Sequence, residues 1–398
     1  MLSTSEYKKL ESKYYMQVVK RMPPVLIKGS GTYVYDNENK SYLDFTAGWA
    51  VLNLGHSHSH VTNAIREQAS KILQMSNLFY TVPQLSLAKI IVENSDIDRM
   101  FFCNSGAEAN EGACKLARKW GKKNLNGAYE IITALDSFHG RTQAMMAATG
   151  QPHYQDNWRP LMPGFINVKY NDLEAIKKVY KKNTTCAVLL EPVQGEGGVN
   201  IPNNDFLKSV MDFCREKNIL FMIDEVQTGM GRLGTFFGYQ RFKDVEPDVI
   251  TMGKALGAGT PLGAFASKEF CSVLEPGDHG STFGGNALTT AAGGAAAEFI
   301  VKNDIPSMAL DSGNYLKNKL ETLKEKYPFI SEIRGMGLLI GLEMTKDKSA
   351  EIIQKCLSKG LLLNAVRPNM IRFMPPLNVL KTEIDDAIDI LDSSLETL

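Results

Sequence analysis

Leu220-Phe221-Met222-Ile223-Asp224-Glu225-Val226-Gln227 and Val249-Ile250-Thr251-Met252-Gly253-Lys254-Ala255-Leu256-Gly257 share one pattern. In each, a short apolar run stops at, or one residue before, a charged side chain. Runs this short and this uniformly apolar read as strands buried on both faces, as in a parallel sheet covered by helices. Arg99-Met100-Phe101-Phe102-Cys103, Ile131-Ile132-Thr133-Ala134 and Ala187-Val188-Leu189-Leu190 repeat the pattern, with amphipathic stretches between. Spacings of roughly 30 residues suit strand–helix units, so the expected class is α/β with a mostly parallel, doubly covered sheet. Ligands of such sheets sit beyond the carboxyl ends of the strands, which makes the residues after each run the ones to examine.

The chain reads differently at its two ends. Tyr33-Val34-Tyr35 and Ser41-Tyr42-Leu43-Asp44-Phe45 flank Asp36-Asn37-Glu38-Asn39, a β-hairpin pattern. Gly335 to Glu343 reads as one strand, and Leu361-Leu362-Leu363 and Ile371-Arg372-Phe373 as two more. From Thr382, the expected N-cap, Ile384, Ile388, Leu391, Leu395 and Leu398 recur at helical spacing. This is the pattern of a smaller α+β unit to which the N-terminal hairpin can be added.

The 398 residues carry 44 Lys+Arg and 44 Asp+Glu, so the formal charge is zero. Nucleic acid and anionic membrane are thereby disfavoured as partners, because both call for a basic excess. The first residues lack the apolar core of a signal peptide. The long charge-free stretch His279–Ala297 is too rich in Gly, Ser, Thr and Asn to span a membrane. Six cysteines without a CxxC pair fit free thiols in a cytoplasmic protein, with no zinc site expected.

Each strand end offers chemistry beside a plainer reading. Asn104-Ser105-Gly106-Ala107-Glu108 opens a helix with capping-box spacing, which serves as a cap or as an anion cradle. Ser137-Phe138-His139-Gly140-Arg141-Thr142 is an ordinary loop, or an aromatic face with an arginine fork for a carboxylate. Glu191-Pro192-Val193-Gln194-Gly195-Glu196-Gly197-Gly198 is a glycine-rich turn whose acids can pair with a cation. Asp224 can cap a helix or hold a cationic ring nitrogen. Lys254 is a surface lysine, or a desolvated amine suited to Schiff-base chemistry. Gly229-Met230-Gly231-Arg232-Leu233-Gly234 formally matches GxGxxG, the mark of an NAD-dependent dehydrogenase. It lacks the following small-residue helix, and position 254, where an acid should stand, is the lysine. An anion cradle, an aromatic face, an acid and a lysine at successive strand ends together meet the chemical demand of pyridoxal 5'-phosphate.

These segments, with Leu54-Gly55-His56, Gly280-Ser281-Thr282-Phe283-Gly284-Gly285-Asn286, Ile333-Arg334-Gly335-Met336-Gly337 and Ile371-Arg372-Phe373, resemble the class III (ω-amino) pyridoxal-phosphate aminotransferases, and most of all the acetylornithine aminotransferase family. The resemblance runs from Gly31 to about Leu377. It implies the fold-type-I architecture: a large domain over residues 56–285 with a mostly parallel seven-stranded sheet, and a smaller α+β domain from residues 1–55 and 286–398. It implies Lys254 and Asp224 as catalytic residues, Lys254 holding the cofactor aldehyde and Asp224 the ring nitrogen. Ser105, Gly106 and Ala107 would serve the phosphate, Phe138 and Val226 the ring faces and Gln227 the phenolic oxygen, with Glu225 a further cofactor-binding residue. Thr282 would reach the phosphate of a second subunit, making a homodimer with shared active sites.

Arg141, Ser281 and Trp49 would touch substrate, Arg372 would bind the carboxylate of 2-oxoglutarate, and Glu196 would pair with Arg372 while the donor is bound. The implied reaction moves the δ-amino group of N-acetylornithine to 2-oxoglutarate, a step of arginine biosynthesis. Trp49 stands where acetylornithine enzymes usually carry a small aliphatic residue and ornithine aminotransferases a tyrosine. Ornithine and N-succinylornithine therefore stand as alternative donors, and an aminomutase or decarboxylase of the same fold as an alternative reaction.

Overall fold

The computed structural model describes residues 2–397. Its central sheet has seven strands in the order Arg99–Cys103, Gly263–Ser267, Val249–Met252, Leu220–Asp224, Thr185–Leu190, Glu130–Ala134, Phe165–Val168. Gly263–Ser267 runs antiparallel to both neighbours, and the other neighbouring pairs are parallel. The carboxyl ends Cys103, Ala134, Leu190, Asp224 and Met252 therefore share one edge. Every residue of Glu130–Ala134, Thr185–Leu190 and Leu220–Asp224 is buried, as befits inner strands covered on both faces. Ile131, Ile132, Phe221 and Ile223 are wholly enclosed, each contributing about 2 kcal/mol of apolar burial.

Two strands, Phe165–Val168 and Gly263–Ser267, were not anticipated from the sequence. The second is built of Gly, Ala, Phe, Ala and Ser, with no β-branched residue to announce it. Its small residues suit a crowded place: a Cβ on Gly112 of the helix Gly106–Asn124 would lie 2.3 Å from the Phe265 ring. That helix is capped by Ser105 Oγ, which accepts from Glu108 N at 3.2 Å. The reciprocal half of the expected box is displaced by one residue, because the Glu108 carboxylate accepts from Asn104 N and Nδ2 instead.

The N-terminal hairpin forms as read, with Tyr33–Asp36 antiparallel to Ser41–Asp44. Leu26–Ser30 joins one edge and Leu361–Leu362 pairs in parallel with Ser41–Asp44 at the other, so the two chain ends share a sheet. A third sheet orders Ile330–Met336, Leu339–Met344, Met370–Phe373 and Asn364–Arg367, all antiparallel. The stretch expected as one strand from Gly335 to Glu343 is in fact the end of one hairpin arm, the turn and most of the second arm. Gly337, at φ +53°, makes the reversal, and its carbonyl lies where a Cβ on Gly313 would come within 2.0 Å. The last helix spans Lys381–Leu395 with Leu380, not Thr382, at the cap; Glu383 accepts from Leu380 N at 2.8 Å.

Among the described residues no helix is long and apolar enough to cross a membrane, and no cluster of potential metal ligands occurs. All six cysteines are buried and unpaired.

Candidate active site at the strand ends

A cavity of about 310 Å³ opens at the shared carboxyl edge, within the size range of small-molecule sites. It brings together Gly106, Ala107, Phe138, Arg141, Glu196, Asp224, Val226, Gln227 and Lys254. Gly106 and Ala107 form the first turn of their helix, whose amides have no intrahelical acceptor and suit a phosphate. Gly106 is required there: a Cβ would lie 2.7 Å from Val226 Cγ1. Gly253 allows the lysine loop equally close, since its Cβ would be 3.0 Å from Gly106 N.

Asp224 is fully buried at the end of its strand and its carboxylate is held from three directions. Val226 N donates to Oδ1 at 2.9 Å, and Asn110 Nδ2 and His139 Nδ1 meet Oδ2 at 2.8 Å each. Thr251 Oγ1 donates to Asn110 Oδ1 at 2.7 Å, which fixes the amide so that its nitrogen faces Asp224. His139 Nε2 is buried without a partner. Asn110 and His139 were not singled out for a role in the sequence, and nothing in their local spacing shows that they converge on Asp224.

Lys254 opens a short 3₁₀ turn at φ +44°, a left-handed conformation that is uncommon outside glycine and clusters at functional sites. Burial lowers the pKa of its amine from the ordinary 10.5, and Arg372 lowers it further; Glu196, Asp224 and Glu191 oppose this. Glu191, a further wall of the cavity, is pushed well above the usual carboxyl range by burial and by the charge of Asp224.

Arg372 is wholly buried on the strand Met370–Phe373. Its Nη1 donates to Glu196 Oε1 at 2.8 Å and to Gln227 Oε1 at 3.1 Å, and its Nη2 to Asn364 Oδ1 at 2.8 Å. Gln227 Nε2 donates back to Glu196 Oε1 at 3.0 Å, closing a ring of three side chains. Gly195 makes room for it, since a Cβ there would be 1.5 Å from Gln227 Oε1. Burial alone would raise the Glu196 pKa, but the charges of Arg372 and Lys254 and the hydrogen bonds from Arg372 and Gln227 outweigh it and bring it to about 2. Arg141 stands at the exposed mouth with its guanidinium 4.2 Å from the Tyr154 ring and 5.8 Å from the Phe138 ring.

Six expected residues do not line this cavity within one chain. Arg372 lies behind it, bonded to Glu196 and Gln227, which do line it. Ser105 turns its hydroxyl to its own helix as a cap. Glu225 points the other way from Asp224 and accepts from Thr228 Oγ1, Gly238 N and Tyr239 N at 2.6, 2.9 and 2.7 Å; its role here is to anchor the following loop. Ser281 Oγ accepts from Asn104 Nδ2 and Gly284 N, while Thr282 is exposed and offers its carbonyl to Gln74. Trp49, 58% exposed, sits in a left-handed turn spanning Ala47 to Ala50. It lines a second cavity of about 360 Å³ together with Asn364, the residue that holds Arg372 from behind.

Helix-start amides, a buried carboxylate, a desolvated lysine and an arginine paired with an acid meet at one edge of the sheet, an arrangement suited to cofactor-dependent amino-group chemistry. The chain belongs to the class-III aminotransferase family, which it matches over residues 14–395. It is 48% identical to the acetylornithine aminotransferase of Methanocaldococcus jannaschii over 98% of each chain. The acetylornithine aminotransferase structure from Elizabethkingia anophelis superposes with a TM-score of 0.89 at 33% identity, covering 100% of both chains. An ornithine aminotransferase structure from Toxoplasma gondii gives 0.94 at 32% identity, covering 99% of this chain and 95% of that one, and has partial occupancy of PLP at its active site. The residues lining the cavity here suit that group: amides for the phosphate, a buried acid for the ring nitrogen and a lysine for the aldehyde.

Proposed function

We propose that this protein is an acetylornithine aminotransferase that uses pyridoxal 5'-phosphate to pass the δ-amino group of N-acetylornithine to 2-oxoglutarate, in arginine biosynthesis. The observation that carries the reading is the joint placement of Lys254, Asp224 and Glu196 around one cavity, with Arg372 bonded to Glu196 directly behind it. The cofactor, when bound, supplies an aldehyde and an electron-withdrawing ring. Gly106 and Ala107 would hold its phosphate, Phe138 and Val226 its ring, and Asp224 its ring nitrogen. His139 and Asn110 fix the Asp224 carboxylate in place and set its direction.

Lys254, with its lowered pKa, would serve as the amine that takes the proton from the donor's reacting carbon and passes it to the cofactor. The donor has no carboxylate beside that carbon, and Glu196 then neutralises Arg372. The 2-oxo acid does carry one there, and its carboxylate replaces Glu196 on the arginine fork. Arg141, exposed at the mouth, would take the distal carboxylate.

We further infer a homodimer in the cytoplasm. Leu78, Tyr80, Val82 and Phe283 are 87%, 93%, 78% and 63% exposed. Asn77 Nδ2 ties their strip to the carbonyls of Ser281 and Gly284, so covering it with a second copy would bring Ser281 and Thr282 to the neighbouring cavity. Residues 56–285 and the paired ends 1–55 and 286–398 are proposed as its two domains. Free ornithine is the second reading, carried by Trp49 near Asn364.

Purified protein should show a visible absorption band that Lys254→Ala abolishes. With 2-oxoglutarate it should prefer acetylornithine over succinylornithine, ornithine, 4-aminobutyrate and lysine. Absence of the band after adding pyridoxal phosphate refutes the cofactor, and preference for free ornithine refutes the donor.

A further inference from the structure

The Gly229–Gly234 stretch takes no part in the site above, yet it holds Arg232, which with Arg372 ranks among the largest wholly buried side chains. Among the described residues Arg232 forms no ion pair. Its Nη1 donates to Leu338 O at 3.0 Å and Pro375 O at 2.6 Å, and its Nη2 to Asn53 Oδ1 at 2.6 Å, while its buried Nε has no partner. Asn53 Nδ2 in turn donates to Met230 O at 2.8 Å, and Leu377 N donates to Asn53 O at 2.7 Å. The glycines explain themselves in this setting. Gly231 at φ +95° comes so close to the C-terminal segment that a Cβ would lie 2.7 Å from Leu377.

Leu338 and Pro375 flank the same end of the antiparallel pair Leu339–Met344 and Met370–Phe373, in which Arg372 stands opposite Gly341. Arg232 therefore grips the strand pair that carries Arg372. A neutral donor could have satisfied the same acceptors. A buried cation with no counter-charge is costly to keep, so its charge calls for a use. Burial, and to a smaller extent the charge of Arg372, push the Arg232 pKa down to about 9.

We propose that Arg232 is a positioning residue for the 2-oxo acid site, clamping the strand pair that carries Arg372 and adding a second, uncompensated positive charge behind it. The inference rests on the assignment of Arg372 to the acceptor's carboxylate. With Glu196 on Arg372 that pair is neutral, and Arg232 supplies the remaining attraction for an incoming dicarboxylate.

The test uses the holoenzyme and glutarate, an unreactive dicarboxylate, whose dissociation constant is read from the visible spectrum, alongside separate donor and acceptor half-reactions. Arg232→Gln should weaken glutarate and raise the acceptor KM by about tenfold, with kcat and the donor KM within about twofold. Arg232→Lys should recover the glutarate affinity in part, because charge survives without the fork. Asn53→Asp places a carboxylate on Arg232 and cancels its charge in place; Asn53→Ala loses the same Met230 contact without adding charge.

Glutarate binding weaker in Asn53→Asp than in Asn53→Ala supports the proposal, and equal binding overturns it, even if Arg232→Gln does not fold. Equal loss in both half-reactions of Arg232→Gln also overturns it. Arg372→Leu separates the two levels of the argument: if that change leaves glutarate binding intact, it is the acceptor assignment that fails.

Discussion

Replacing Glu196 by Gln tests how one cavity serves two dissimilar substrates. The Glu196 carboxyl lies at about 2 against an ordinary 4.5, a gap worth about 3 kcal/mol. About a third of the side chain faces solvent (30%), which reduces the figure to about 2 kcal/mol. The acceptor must displace this carboxylate from Arg372, so Glu196→Gln should tighten 2-oxoglutarate binding by up to about thirtyfold. The donor should suffer. With Arg372 unpaired, the carboxylate of acetylornithine competes for the guanidinium and binds the wrong way round. Its second-order rate constant should fall by about tenfold.

Arg372 keeps Gln227 Oε1 and Asn364 Oδ1 as acceptors, so the loss of stability should stay below the roughly 3–5 kcal/mol of a stripped buried ion pair. The assay is single-turnover absorbance of each half-reaction, with thermal unfolding as control. If both half-reactions change by the same factor, or if their ratio moves toward the donor, Glu196 is not a gate.

The same variant predicts a pH effect. A carboxyl held below its ordinary value stabilises the fold fully above about pH 4.5 and loses that contribution as pH falls through about 2. Glu196 therefore puts no limb in the neutral range of a rate profile, and the limb to follow is the one set by Lys254, lowered from its ordinary 10.5. Removing the negative charge of Glu196 should move that limb to lower pH, and a shift to higher pH contradicts the electrostatics. Gly106→Ala should weaken cofactor binding, measured by equilibrium dialysis, because its Cβ meets Val226 at 2.7 Å; Gly106→Ala with Val226→Ala should recover most of the affinity. Burial pushes the thiol pKa to about 11 for Cys356, to about 12 for Cys103, Cys186 and Cys271, and upward also for Cys114 and Cys214. Oxidised glutathione should therefore leave the folded protein's mass and activity unchanged.

The parts of the fold that were legible in the sequence are those whose residues do one thing. Ile131, Val188, Phe221 and Ile250 are buried on both faces and can belong only to inner strands. Gly263–Ser267 escaped because its residues answer to two demands at once, pairing in the sheet and yielding to Phe265 against Gly112. Gly335–Glu343 misled for the opposite reason, its apolar run being continuous through a reversal made by Gly337. Lys254 and Asp224 were visible because each interrupts an apolar strand. Asn110 and His139 were not, because their meaning is contact with Asp224 across 114 and 85 residues of chain. Glu225 shows the limit of adjacency: one step beyond Asp224, extended backbone turns its carboxylate to Gly238 and Tyr239 instead.

The residues divide by what holds them. Asp224 and Lys254 stand at the ends of buried parallel strands, and Asp224 is fixed further by Asn110 and His139 within the same covered sheet. Glu196 sits instead in a glycine-rich loop, and Arg372 on a separate sheet joined to the first through Arg232 and Asn53. Arg334 strengthens that joint, its guanidinium donating to the carbonyls of Gly198 and Val199 just beyond Glu196. On the proposed reading, the cofactor would rest on fully buried strands, and the choice of substrate on a contact between two sheets. Small changes at Asn53, Arg232 or Arg334 can then shift the balance between donor and acceptor while Asp224 and Lys254 remain undisturbed. A purely local reading, with specificity set only by groups touching substrate, requires the opposite outcome for Arg334→Lys: donor and acceptor KM unchanged together. The structure predicts changes of opposite sign, a lower acceptor KM and a higher donor KM, because the loop that loses its anchor carries the acid that pairs with Arg372.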